Sequence, residues 1–306
     1  MPGMLQTPLP ALDDLAGDYV PQTLPTVIDA HIHLFPDNLF ASIWQWFEKF
    51  GWPVRYRLNS PEAIEFLLSR GISRLVGLHY AHRPGVARQL NRYMAKLCHR
   101  YPQLTGMATV FPGEESARQI LIEGFDNGLS GVKLHCHVQC FEMLGRPMHE
   151  IYSLCQEADR PLIMHVGREP KSPAYPCDPY ALCSAARLEQ VIKTYPGLRV
   201  CVPHLGADEF DAYRRLLEKY DTLWLDTTMT QANYLPFDNI PRLEEMRVDR
   251  VIFGSDFPNL PYAWDRELRQ IARKNLTPEQ LSNLLCLNAI DFYKMEQGRE
   301  RQNGEP

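Results

Sequence analysis

The chain has 306 residues, 45% of them hydrophobic and 23% charged, which is material for one large α/β barrel or two ordinary domains. A net charge of −5 leaves no basic footprint and argues against a nucleic-acid partner. No apolar run approaches the roughly 20 residues a bilayer-spanning helix needs. The opening "MPGMLQTPLPALDDLAGDYV" lacks the charged-then-apolar layout of a secretory signal, so no membrane partner is expected and a cytoplasmic location is the default.

In chain order, residues 1–25 are Pro-rich and aperiodic and read as an arm laid over the surface. The first strand is "TVIDAHIH", residues 26–33. Side chains on a strand alternate faces, so His31 and His33 point the same way and Ile32 the other. A long insertion, Leu34 to Asn59, follows and carries Phe35, Trp44, Trp46, Phe47 and Trp52. Its core "LFASIWQWFEKF" suits a short helix that either covers a pocket or packs on the rim, and a segment this long after a strand is more often functional than filler.

From Ser60 on, short apolar runs alternate with amphipathic helical stretches. "SPEAIEFLLSRG" reads as a helix with Ser60 as N-cap and Pro61 at the first helical position, ended by Gly71. The remaining strands are "ISRLVGLHY", "LTGMATVF", "SGVKLH", "PLIMHV", "LRVCVPH", "TLWLDTT" and "RVIFGSD", which makes eight. Near-continuous apolar strands separated by helices imply a parallel sheet covered on its outside. Eight such units predict an α/β fold, a (β/α)8 TIM barrel forming one domain over residues 26–296, with a disordered tail at 297–306. An open doubly wound sheet is the competing architecture, but no glycine-rich phosphate loop follows the first strand.

Barrel active sites are built at the C-terminal ends of the strands. His31 and His33, His79, Lys133 and His135, His165, His204 and Asp256 all stand at such ends, although the chain has only ten histidines. Imidazole and carboxylate in that arrangement are the ligands of a zinc-like divalent ion with an open position for water. A structural zinc in "HCHVQC" (His135, Cys136, His137, Cys140) lacks a second Cys/His pair to close it, and the eight cysteines read as reduced thiols. Arg168, three residues past His165, suits a substrate carboxylate or phosphate unless it is tied up with Glu169 or Asp178. His79, His82, His135 and Trp44 are further candidates for the pocket mouth.

The runs "DAHIHLF", "GVKLH", "PLIMHVG", "VPHLG" and "VIFGSDFP" resemble the amidohydrolase superfamily, in particular the amidohydrolase-related branch that also holds decarboxylases and hydratases. The resemblance implies that His31, His33, His165 and Asp256 bind the metal. It implies that His204 polarises the substrate or binds a second ion. Lys133 matches the lysine that binuclear members carboxylate to bridge two metals, and one ion is expected here rather than two. Zinc is the first expectation, with manganese, iron or nickel as alternatives.

A metal-dependent hydrolase acting on a small, anionic molecule is therefore expected, with Asp256 as general base for a metal-activated water and His204 steadying the oxyanion. The alternative on the same residues is a decarboxylase of an aromatic-derived or unsaturated acid. A homodimer is compatible with a barrel of this type.

Overall fold

The computed structural model describes residues 14–235, 237 and 239–296. Most of the expected arm and all of the expected tail at 297–306 lie outside these residues. Within residues 14–25, Asp14 pairs with Arg266 and Arg269 at 3.3 Å, and Trp264 Nε1 donates to the Gly17 carbonyl at 2.9 Å.

All eight expected strands form: β1 (Val27–His33), β2 (Ile72–Leu78), β3 (Leu104–Gly106), β4 (Val132–His135), β5 (Leu162–His165), β6 (Val200–Val202), β7 (Leu223–Asp226) and β8 (Val251–Ile252). They pair parallel in sequence order, β1-β2-β3 and β4 through β8. Parallel bridges Ala108↔Val132 and Ile32↔Phe257 join the two sheets at both seams. The result is the expected (β/α)8 barrel, and strands buried on both faces explain why their sequences run apolar without alternation.

Helices cover the outside. The insertion forms α1 (Asp37–Phe50), and α2 (Ser60–Ser69) follows with Asn59 rather than Ser60 as N-cap, in a reciprocal capping box with Glu62, while the Ser60 hydroxyl donates to the Phe35 carbonyl. Next come α3 (Ala87–Arg100), α4 (Ala117–Asp126), the single turn α5 (Cys136–Gln139) and α6 (Arg146–Glu157). The second half adds α7 (Pro179–Leu182), α8 (Ala185–Thr194) and α9 (Phe210–Lys219), then α10 (Arg266–Ile271), α11 (Pro278–Ser282) and α12 (Asn288–Tyr293). Ile28, Ala30, Val76, Ile163 and Cys201 fill the barrel interior, and Phe292 packs into the same cluster. That plugs one end and leaves the C-terminal mouth for polar side chains.

Candidate metal centre

Period-two alternation on β1 brings His31 and His33 into one space, with ring centroids 5.1 Å apart. Asp256, beyond β8, enters the same space from a residue at φ 74, a left-handed conformation that carboxylate and amide residues tolerate better than most. One ligand atom from each of His31, His33 and Asp256 lies within 4.8 Å of the others, and among the described residues no other such group of metal-ligating side chains forms. Close approach of β8 to β1 depends on Gly254, where a Cβ would sit 2.5 Å from that of His31.

Orientation is set by outer partners. His31 Nδ1 donates to Asp226 at 2.8 Å, which leaves Nε2 facing the cluster, 3.4 Å from Asp256. His204 Nδ1 donates to the Thr228 carbonyl at 2.9 Å, so its Nε2 also faces the cavity. His165 lines the cavity with its Nε2 buried and unpartnered. An orphaned buried imidazole nitrogen beside a His-His-Asp cluster is the donor set a divalent ion takes, and these residues fit one.

The electrostatics agree. Burial acts to raise the Asp256 pKa, but His33, which donates to it at 2.9 Å, and the nearby His31 and His204 overcome that and hold it well below the usual carboxylate range. Burial pushes the His31 imidazole down to about 4, and drives His135 and His165 down as well, so these rings are neutral near pH 7 and can ligate. Lys133 is fully buried with Nζ 3.5 Å from His31 Nε2, and burial lowers it to about 8.

The cluster forms one end of a cavity of about 360 Å³ at the barrel mouth. His33, His135, His165, His204 and Asp256 line that end, and Phe35, Trp46, Phe47, Trp52, Tyr80 and Tyr175 supply aromatic walls. His82 lies in the lining, and three other candidates do not. Arg168 turns away to Asp208 at 2.8 Å and Glu209 at 3.5 Å and packs on the Tyr180 ring, a pairing with residues neither of the two expected neighbours. His79 is wholly buried below the mouth. Trp44 stacks on Phe40 at 5.1 Å, and Trp46, two residues on, takes the cavity side.

Asp226 went unread in the sequence, although it ends "TLWLD" at the same level as the other strand-end groups. Tyr175 was hidden in the long loop after β5. The "HCHVQC" segment forms no metal group: His137 Nε2 bonds the Gly167 carbonyl at 2.7 Å, and its cysteines are free thiols.

The family profile described as amidohydrolase matches residues 28–295, nearly the whole barrel. The chain belongs to the amidohydrolase family. No curated relative matches it by sequence. Among solved structures it is similar to the 5-carboxyvanillate decarboxylase of Novosphingobium aromaticivorans, complexed with manganese and 4-hydroxy-3-methoxy-5-nitrobenzoic acid. There the TM-score is 0.63 at 16% identity, covering 93% of this chain and 99% of that one. A dihydroxybenzoic acid decarboxylase from a Polaromonas species, with bound manganese and 2-nitroresorcinol, gives 0.63 at 16%, covering 90% and 98%. A 2,6-dihydroxybenzoate decarboxylase complexed with its benzoate gives 0.63 at 15%, covering 89% and 100%. At such identities the likeness is one of fold, and an amidohydrolase family name does not by itself specify hydrolysis.

Proposed function

We propose that this amidohydrolase-family enzyme is a metal-dependent decarboxylase of an aromatic carboxylic acid. The observation that carries the reading is the aromatic enclosure at the His-His-Asp cluster, with Phe35 and Tyr80 against His33 and Tyr175 lining the same cavity. A carboxylate held in an apolar enclosure loses hydration that neutral CO2 does not need, so departure of CO2 is favoured there. The decarboxylases of like fold, with benzoates or manganese bound, support the same choice.

His31, His33 and Asp256, with His165 beside them, would hold a single divalent ion. When bound, the ion supplies a positive charge that anchors the substrate anion and draws electron density from the ring. The aromatic walls orient the ring. The bond between ring and carboxylate breaks, CO2 leaves, and the ring carbon takes one proton in its place. His204, with Nδ1–H committed to Thr228, offers Nε2 for taking up and handing over that proton. Asp256 is held as a carboxylate and so has no proton to donate at neutral pH.

The position of that carboxylate beside the cluster allows a second reading, hydrolysis, in which Asp256 orients an attacking water and takes up its proton. Manganese is the first ion to load and zinc the second. Incubation with a panel of hydroxybenzoates, and separately of aryl esters, amides and lactones, in 18O-water distinguishes the two. CO2 release with no 18O in the organic product is the expected result. Turnover confined to the second panel, with 18O incorporated, would replace the decarboxylase by a hydrolase.

A further inference from the structure

Helix α1 is amphipathic, and its apolar face is shared between the core, against which Leu39 and Phe47 pack, and the cavity. Of its fourteen residues only Phe40 is fully buried. Leu39, Ile43, Trp46, Phe47 and Phe50 recur at helical spacing, and all five line the cavity. The stripe from Leu39 to Phe50 extends over about 16 Å at 1.5 Å per residue. Opposite it stand Val138, Pro170, Ala174, Pro176 and Leu235, apolar as well. Trp52 presents its ring, because its indole N–H is committed to the Asn259 carbonyl at 2.7 Å. Trp46 meets Tyr175 at 5.2 Å, so the helix and the loop after β5 close on each other over this space.

Beyond the histidine cluster, charge in the lining is scarce. Among the described lining residues Lys171 is the sole Lys or Arg, and it is paired with Asp178 at 3.0 Å. Arg168, the other cation of that loop, is held by Asp208 and Glu209. A second anionic group on the substrate would have to draw Lys171 from Asp178 and would lose its water against Trp46 and Phe47.

We infer that the substrate is a monoacid with a long, uncharged apolar tail: a carboxylate seated at the histidine cluster and an aryl or alkyl extension lying along α1. This rests on the proposed decarboxylase site and names its substrate class. Specificity is set by the α1 stripe, which strips water from the extension and rejects a second carboxylate.

Calorimetric titration of the manganese-loaded protein with benzoate, 4-phenylbenzoate and terephthalate tests this without requiring turnover. Burial of a second ring predicts 4-phenylbenzoate binding about tenfold or more tighter than benzoate, and terephthalate weaker than either. In Trp46→Ala and Phe47→Ala the affinity for 4-phenylbenzoate falls by a larger factor than the affinity for benzoate, so the gain from the phenyl extension shrinks. Equal affinity for benzoate and 4-phenylbenzoate, tighter terephthalate, or no binding of any of the three would overturn the inference. The predicted order without CO2 release from any arene acid would instead remove the decarboxylase reading and leave the tail site standing.

Discussion

His31 and Asp226 share a buried hydrogen bond of 2.8 Å that crosses from the first strand to the seventh. It fixes the tautomer of His31 and presents Nε2 to Asp256 and His33. Asp226 is itself held by the hydroxyl of Thr228 and by the His204 backbone N–H at 3.1 Å, so one carboxylate positions two imidazoles of the site.

Asp226→Ala should lower metal affinity by roughly 10–100-fold, the usual range for an outer partner of a ligating histidine. Titration with manganese and zinc, on protein whose fold is verified by circular dichroism, measures it. Unchanged affinity would mean that His31 is oriented by something else.

The protein as purified and reconstituted should hold about one divalent ion per chain by plasma mass spectrometry. His31→Ala should abolish binding and activity together, and Asp256→Ala should abolish activity while retaining some metal. Two equivalents in the wild type would bring Lys133 and His204 in as ligands of a second ion.

Arg168→Ala should leave kcat/KM within about twofold of wild type, because its guanidinium is spent on Asp208 and Glu209 outside the cavity. The half-exposed pair should cost no more than about 1 kcal/mol in a urea melt. A large rise in KM would return Arg168 to the substrate site.

His79 supplies a pH test of stability. Burial pushes it down to about 3 from an ordinary 6.5, so the unfolded chain takes up a proton before the folded one does. Its contribution is intact above about pH 6.5 and is lost progressively as pH falls toward 3, with a slope up to about 1.4 kcal/mol per pH unit. Urea midpoints between pH 7 and 4 should fall less steeply in His79→Leu than in wild type. Parallel slopes would show that His79 is not buried neutral.

Much of this was legible in the sequence, for physical reasons. Strands buried on both faces declare themselves as apolar runs, and the eight of them made the barrel readable. His31, His33 and Asp256 were readable because strand ends in a barrel share one mouth. What strand position cannot convey is where a long side chain turns in a loop. Arg168 looked available until Asp208 and Glu209, some forty residues on, were folded against it. Trp44 and Trp46 differ by two positions, which on a helix turns one away from the cavity and the other toward it. Asp226 was missed because a lone carboxylate after "TLWL" carries no signal until the strand it completes lies across from His31.

The segment from Leu34 to Asn59 leaves and rejoins the barrel at nearly one place, with Ser60 Oγ donating to the Phe35 carbonyl at 2.9 Å. The histidine floor draws on strands scattered through the whole chain, whereas the largest single share of the roof belongs to these 26 consecutive residues. Recognition and chemistry are thus written in separable parts of the sequence. A library confined to that single stretch could retune which molecules enter while every histidine beneath keeps its setting, and the same partition would let related barrels diverge in diet by exchanging one loop.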